Sequence, residues 1–194
     1  MSLLIYSSKF LLNTYCNIPN EKITINEDKS VQVFDDVYIK PELVKNGKLI
    51  INFDKIYGNF CIQELHLTSL DGCPKFITGN FTCDLNDLPN LINGPITVAG
   101  YYACSNNKLT SLEGCPNIIH GDFFVNYNFL KNLKHTPAKI NGKGVFSYNM
   151  LTSLEGCPKY VEKQIVLYGQ IGNGIIFSEK EVRDVCKVGM SVYV

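Results

Sequence analysis

The chain has 194 residues, enough for one domain with a sizeable buried core. It is 45% hydrophobic and 19% charged, which is typical of a packed soluble protein and excludes global disorder. The 18 basic and 18 acidic residues cancel, and Arg183 is the only arginine. A nucleic-acid partner is therefore not expected, because such proteins carry a surplus of cations on one face.

The sequence contains no apolar run near the length of about 18 residues that a membrane-spanning helix needs. Residues 1–6 are apolar, but they are too short for the core of a signal peptide and no basic segment precedes them. We therefore expect a protein without membrane contact that acts in the cytoplasm.

The first part of the chain predicts a β-rich N-terminal cap at residues 1–36. Short apolar segments at residues 3–6, 22–26 and 30–34 favour strands, and they do not follow the repeat that begins after them. We expect this cap to cover the first turn of the repeat region.

Residues 37–168 are organised by a 21-residue repeat, which is marked by five glycines. They are Gly58, Gly79, Gly100, Gly121 and Gly142. Alignment on these glycines places an asparagine column in register, formed by Asn86, Asn107, Asn128 and Asn149. Leucine columns begin at Leu67 and Leu70, a proline column at Pro74 and an aliphatic column at Ile77. Each unit alternates apolar and polar residues after its glycine, which predicts short half-buried strands at residues 59–63, 80–84, 101–105, 122–126 and 143–147.

The repeat length limits how the chain returns from one strand to the next. A unit of 21 residues leaves no room for a full helix, so the return path should be an irregular or 3₁₀ arc. The column asparagines should end the strands and hydrogen-bond backbone groups there. We predict a mainly β, leucine-rich-repeat-like, right-handed solenoid with a parallel sheet and about six rungs, in one structural domain overall.

Residues 169–194 predict a short helical C-terminal cap. Ser178 and Glu181 have the spacing of a capping box, and Val182, Val185 and Cys186 form an apolar stripe. Gly189 follows as a helix terminator. The glycines at 169, 172 and 174 mark the loop between the solenoid and this cap.

The full unit reads Gly-x-Phe-x-Cys-x-x-Asn-x-Leu-Thr-Ser-Leu-Glu-Gly-Cys-Pro. It resembles the repeat of leucine-rich-repeat-like proteins encoded by large tailed bacteriophages, as do residues 25–28, 31–39 and 177–186, so that the resemblance covers about residues 23–194. It implies a viral protein in a bacterial cytoplasm and brings no catalytic residue. The chain departs from the pattern at Val44, Leu65 and Gln170 in the asparagine column, and at Thr136 in the turn.

The sequence predicts neither a metal site nor a cofactor nor catalysis. The chain has eight cysteines, but none forms a Cys-x-x-Cys pair, and the three histidines have no ligand spacing to them. Cys83 and Cys104 fall at a core strand position, where a small buried thiol is expected. We expect a binding protein rather than an enzyme, since an open solenoid offers no deep site that excludes water.

The outward strand positions of the last rungs carry the residues that we predict to bind a partner. They are aromatic or apolar, as interface residues often are: Tyr101, Phe124, Tyr127, Phe129, Val145, Tyr148, Met150 and Tyr168. The alternative is structural, namely that these side chains pack under the C-terminal cap or stack on each other.

We expect a non-enzymatic binding protein whose partner is a host protein. The phage resemblance implies an inhibitor or adaptor in host–virus interaction, for example one directed at a defence factor. Two alternatives are a self-associating structural protein and a protein that sequesters a small ligand or nucleotide. The scarcity of arginine counts against nucleotide capture.

Overall fold

The computed structural model describes residues 3–172 and 175–194, so residues 1, 2, 173 and 174 of the predicted caps lie outside it. In the described residues the chain is a mainly β solenoid with two α-helices, which confirms the predicted fold class. The helices are α1 (Leu3–Cys16) and α2 (Glu179–Val185), with 3₁₀ turns at Asn20–Lys22 and Pro41–Leu43.

The strands are short, most of them two residues long. In chain order they are β1 (Ile23–Ile25), β2 (Val31–Val33), β3 (Val37–Tyr38), β4 (Val44–Lys45), β5 (Lys48–Leu49), β6 (Phe53–Ile56), β7 (Phe60–Cys61), β8 (Phe76–Ile77), β9 (Phe81–Thr82), β10 (Thr97–Val98), β11 (Tyr102–Ala103), β12 (Ile118–Ile119), β13 (Phe123–Phe124), β14 (Lys139–Ile140), β15 (Gly144–Val145), β16 (Tyr160–Val161), β17 (Ile165–Val166), β18 (Lys187–Val188) and β19 (Val192–Tyr193).

Each rung contributes two strands, one on either side of the repeat glycine. Those after the glycine stack in parallel in an eight-stranded sheet, the front sheet, in the order β19-β17-β15-β13-β11-β9-β7-β3. Those before it form the rear sheets, in the orders β1-β2-β6-β8-β10 and β12-β14-β16-β18. The sequence indicated the rear strands only as the aliphatic column that begins at Ile77. Two residues are too few to show the alternation of apolar and polar side chains that is typical of a strand.

The front strands are shorter than the predicted five-residue segments. The chain leaves the sheet where the residue before each column asparagine takes a positive φ, for example 53° at Asn106 and 56° at Tyr127. Backbone hydrogen bonds between rungs continue beyond the two-residue strands up to this residue, since Cys104 donates to the carbonyl of Phe124 and Asn106 to that of Asn126. The left-handed residue then turns the backbone out of the extended conformation.

The core is filled by columns of inward-facing side chains. Aromatic rings stack along the axis at centroid distances of 6.2, 4.8, 5.9 and 5.8 Å, and the leucine columns are buried beside them. The rings are Phe60, Phe81, Tyr102, Phe123 and Phe146. Each ring contacts those of neighbouring rungs, so apolar burial is shared along the stack rather than completed within one unit.

The repeat glycines are required by close approach between rungs. A Cβ added at Gly121 would lie 2.7 Å from the carbonyl carbon of Gly100 and 2.8 Å from the backbone nitrogen of Tyr101. None of these five glycines has a positive φ, so the lack of space for a side chain, rather than backbone conformation, requires glycine there.

Beside the repeat glycines a second polar ladder joins the rungs. Asn59 Oδ1 accepts the N–H of Asn80 at 2.8 Å, and Asn80 Oδ1 accepts the N–H of Tyr101 at 2.9 Å.

The expectation of a strand at residues 3–6 was wrong, because these residues belong to α1. The helix packs through the i, i+3, i+4 set Leu12, Tyr15 and Cys16, of which Leu12 is fully buried. Asn17 ends it with a φ of 55°, and the N–H of Ile18 returns to the carbonyl of Leu12 at 3.2 Å. The β-rich part of the N-terminal region is confined to β1 and β2, which pair antiparallel.

The predicted C-terminal helix is confirmed as α2, which begins at a capping box. It ends at Val185, and the prediction of Gly189 as its terminator was wrong, because β18 lies between the helix and that glycine. The Ser178 hydroxyl accepts the N–H of Glu181 at 3.2 Å, and the Glu181 carboxylate accepts the N–H of Ser178 at 2.7 Å. Arg183 donates to the carbonyls of Val188 and Met190 and so attaches the helix to the last rung. That rung is complete, because β18 pairs with β16 and β19 pairs with β17.

The asparagine column is a buried hydrogen-bonding ladder between rungs. Asn107 Oδ1 accepts the N–H of Leu88 at 3.1 Å, and its Nδ2 donates to the carbonyl of Cys83 at 2.9 Å. Asn86, Asn128 and Asn149 make the equivalent bonds. Gln170 continues the ladder despite its extra methylene, since its amide accepts from Leu151 and donates to Phe146 and Leu167.

We expect Asn107→Ala to lower the free energy of unfolding by about 1–3 kcal/mol, because it leaves the buried N–H of Leu88 without its acceptor and removes one of the two amide donors to the carbonyl of Cys83. Urea melts measure the change. The exposed Asn117→Ala is the matched control and should change it by less than about 0.5 kcal/mol. Equal effects of the two substitutions would contradict a ladder that stabilises the fold.

The aromatic column predicts a substitution that stabilises the protein. Tyr102 is fully buried, and its hydroxyl has no hydrogen-bond partner among the described residues. Tyr102→Phe removes this unsatisfied group and should raise the free energy of unfolding by about 1 kcal/mol in urea melts. Tyr160→Phe, at a half-buried tyrosine, serves as control. A loss of stability in Tyr102→Phe would show that the hydroxyl is hydrogen-bonded in solution.

Candidate binding face

The front sheet presents one outward strip of side chains per rung, and the strips change along the axis. One column reads Cys61, Thr82, Ala103, Phe124, Val145 and Val166 from the first rungs to the last. The inward columns repeat while this outward one does not. The resulting surface has two regions, a groove over the early and middle rungs and an aromatic patch over the late ones.

The groove has a volume of about 660 Å³. It is lined mainly by amides, hydroxyls and aromatic rings: Tyr38, Asn59, Phe60, Cys61, Gln63, Asn80, Thr82, Asp84, Tyr101, Ala103, Ser105, Asn106, Phe124 and Asn126. Two of these side chains, Asn59 and Asn80, are fixed by hydrogen bonds from the backbone of the next rung.

The groove exists because of a small side chain between larger ones. Ala103 lies between Thr82 and Phe124 on adjacent strands, and its methyl leaves the floor low. Tyr101 packs edge-on against Phe124 at a centroid distance of 6.2 Å, and Thr82 Oγ1 lies 3.4 Å from the Tyr101 hydroxyl. Tyr38, half exposed on β3, comes from outside the regular repeat.

Asp84 is the only charged residue among those described as lining the groove. Its Oδ1 accepts the N–H of Ser105 at 2.5 Å. Burial nevertheless raises the pKa of the Asp84 carboxyl above its ordinary value, and the Ser105 hydrogen bond only partly offsets that effect. The carboxylate is thus partly desolvated, and no lysine, arginine or histidine of the described residues forms an ion pair with it.

The aromatic patch consists of Tyr127, Phe129, Tyr148, Met150 and Tyr168. Tyr127 and Tyr148 stack at 4.4 Å with planes 5° apart, and Tyr168 meets Tyr148 edge-on at 5.5 Å. Tyr127, Phe129 and Tyr168 remain 46–48% exposed, while Tyr148 and Met150 are half-buried between neighbours. Stacking alone therefore does not cover the patch.

Two of these tyrosines occupy a strained backbone position. Tyr127 has a φ of 56° and Tyr148 a φ of 54°, in the column that Asn106 and Gly169 fill on the neighbouring rungs. The left-handed conformation costs a bulky L residue about 1–2 kcal/mol, and asparagine or glycine adopts it more easily. Glu64 and Leu85 fill the same column on the earlier rungs with φ of 58° and 57°, so this conformational cost recurs along the array and is not confined to the patch.

The predicted partner-binding residues fall into both regions of the face. Tyr101 and Phe124 form one wall of the groove, whereas Tyr127, Phe129, Tyr148, Met150 and Tyr168 form the patch. Val145, half-buried on β15, lies between them in the sheet order. Sequence reasoning missed the groove and its residues Tyr38, Gln63 and Asp84. The available signal was the single alanine in a column of larger residues.

Within the described chain, no three or more His, Cys, Asp or Glu residues are grouped so that they could hold a metal ion. The cysteines are thiols, and burial raises the pKa of several of them, Cys73 and Cys115 among them. Neither α1 nor α2, the helices of the described ranges, is long and apolar enough to cross a membrane.

Comparisons of this chain with protein-family models, with curated proteins and with solved structures find no match. The site is therefore interpreted from its own geometry.

The raised pKa of Asp84 predicts a stabilising substitution in the groove. Its folded pKa lies above the unfolded value near 3.8, so the folded protein holds this proton more tightly, and ionisation above that pKa lowers stability. Asp84→Asn keeps an acceptor for the Ser105 N–H without the charge. We expect a higher free energy of unfolding than wild type at pH 7, with the difference shrinking as pH falls towards the unfolded pKa. Urea melts across this range measure it, and lower stability at pH 7 would contradict the assignment.

Proposed function

We propose that the protein is a non-enzymatic binding protein that holds a partner protein on the outer face of its front sheet. The observation that carries the proposal is the aromatic patch, in which exposed Tyr127 and Tyr168 both contact the half-buried Tyr148, and in which Phe129, two residues after Tyr127, is equally exposed. Aromatic residues and methionine are enriched in protein interfaces, and contiguous apolar patches are uncommon on monomers.

The resemblance to leucine-rich-repeat-like proteins of tailed bacteriophages supports a host protein as the partner. In that setting the protein would act in the bacterial cytoplasm as an inhibitor or adaptor, for example of a defence factor. A binding role needs no catalytic group, and the front face offers rigid shape and aromatic anchors instead.

The double substitution Tyr127→Asn and Phe129→Asn tests the patch. Asparagine tolerates the left-handed backbone at position 127, so the urea melt should be unchanged or shifted to higher stability. The partner is first identified by mass spectrometry of proteins retained from a bacterial lysate by the immobilised wild-type protein. Loss of two anchors worth on the order of 2 kcal/mol each should then weaken its affinity about 100-fold or more in calorimetric titration.

The matched control is Phe76→Asn, which removes an equally exposed aromatic (45%) from the rear sheet. It should bind the partner with wild-type affinity. Unchanged affinity in the double variant together with loss in the control would place the interface on the rear sheets and refute the proposal. Light scattering separates this interface from self-association. If the wild-type protein has twice the mass of the monomer and the double variant has the mass of one monomer, the patch joins two copies of this chain instead.

A further inference from the structure

We propose that the groove of the front face receives a basic side chain, lysine or arginine, of the bound partner protein. This inference rests on the proposed function, since it concerns how that partner is anchored beside the aromatic patch. The occupant is specified by a carboxylate, aromatic rings and amide oxygens that converge on one open cavity.

Charge complementarity is the first argument. Asp84 contributes the single formal charge of the described lining, and the groove supplies no cation to neutralise it. A partly desolvated carboxylate without a counter-charge favours a cationic ligand, because bringing the opposite charge restores the interaction lost with water.

The aromatic rings are the second argument. Tyr38, Tyr101 and Phe124 line the same groove as Asp84. The face of an aromatic ring attracts an ammonium or guanidinium group, and the methylene stem of lysine or arginine packs against the same ring. A carboxylate with several rings around it is a combination suited to an organic cation rather than to an anion.

The remaining lining adds acceptors in fixed positions. Ser105 Oγ donates to Asn126 Oδ1 at 2.8 Å, and the oxygens of Asn59 and Asn80 are held by the second polar ladder. An amide oxygen has two lone pairs, so an oxygen that accepts one N–H of the backbone retains capacity for a second donor. Ammonium and guanidinium groups bring several donors and no acceptor.

The other titratable groups at the groove leave this charge balance intact. The negative charge of Asp36 raises the pKa of the exposed Tyr38 phenol, and burial raises the pKa of the Cys61 thiol. Both groups are therefore neutral at pH 7. Asp84 and Glu64 act on Cys61 as further negative charges, and Lys40 is the one cation that acts on it. Lys40 is not part of the lining described for the groove.

The site is tested with the peptide acetyl-Gly-Gly-Lys-Gly-Gly-amide, its arginine analogue and its norleucine analogue, titrated into the ¹⁵N-labelled protein. Norleucine keeps the apolar stem without the ammonium. We expect the lysine and arginine peptides to shift the amide resonances of Ser105 and its neighbours saturably, with Kd in the millimolar range that one side chain provides, and norleucine to bind at least about tenfold more weakly. Equal shifts with norleucine would overturn the proposal.

Asp84→Asn is the decisive variant, and its urea melt shows independently that the fold is intact. It should weaken the lysine peptide about tenfold and leave the norleucine peptide unchanged. Ala103→Leu, which fills the floor of the groove, is a second variant expected to reduce binding while Asp84 is kept. Wild-type affinity in both variants would refute the site. Binding of n-butylammonium more tightly than the lysine peptide would assign the groove to a small molecule, which also overturns it.

The failure of this inference is distinguishable from failure of the proposed function. If Asp84→Asn binds the identified partner with wild-type affinity and the Tyr127→Asn, Phe129→Asn variant does not, the patch remains the interface. The proposal that the groove receives a basic side chain is then refuted. If Asp84→Asn and the patch variant both lose affinity, the partner spans both regions. An alanine scan of the partner's lysines and arginines should then reveal one residue whose loss has no further effect in Asp84→Asn.

Discussion

The side-chain amide that joins one rung to the next is the interaction on which the rest of this fold depends. Strands of two residues cannot satisfy the backbone of a 21-residue turn through sheet pairing alone. At four front corners an asparagine bridges the gap, as Asn107 does between the N–H of Leu88 and the carbonyl of Cys83, and Gln170 does so at the next one. A buried corner without this amide would leave several polar groups unpaired. The ladder therefore sets the spacing at which the aromatic and leucine columns pack.

Because the inward columns and the ladders fix each rung, the outward positions are free to differ. The column from Cys61 to Val166 contains a thiol, a hydroxyl, a methyl, a ring and two branched side chains without any change in strand register. The groove and the aromatic patch are consequences of that freedom. In this protein, function is to be sought where the repeat is broken rather than where it is kept.

The sequence predicted what is repeated, and it predicted a feature that occurs once only where a specific local signal marked it, as the capping box of Ser178 and Glu181 marked α2. Five copies of the unit displayed the period and the core positions, and four of them displayed the asparagine column. Helix α1 has one copy and a locally ambiguous apolar run, and packing through Leu12 decided its conformation. The groove depends on Tyr38, which reaches it by pairing of β3 with β7 across irregular sequence, and on the space above Ala103. Neither relation is visible in a single chain. Gln170 departs from the asparagine column in sequence, yet its side chain, one methylene longer, makes the same kind of bonds.

Energetic cost alone does not identify a site, as Tyr102 demonstrates. Its orphan hydroxyl lies in the core, where it can contact no partner, and it is a packing compromise in a column otherwise built from phenylalanine. The front face is different in kind. The carboxylate of Asp84 is partly desolvated, and Tyr127, Phe129 and Tyr168 are exposed, so the unfavourable features of this face lie on an accessible surface. Isolated costs arise by drift, since most substitutions destabilise slightly and selection tolerates them. Unfavourable features of different physical origin on one face share an explanation if that face binds a partner, as proposed above, because a partner would cover the exposed rings and supply a counter-charge to the carboxylate.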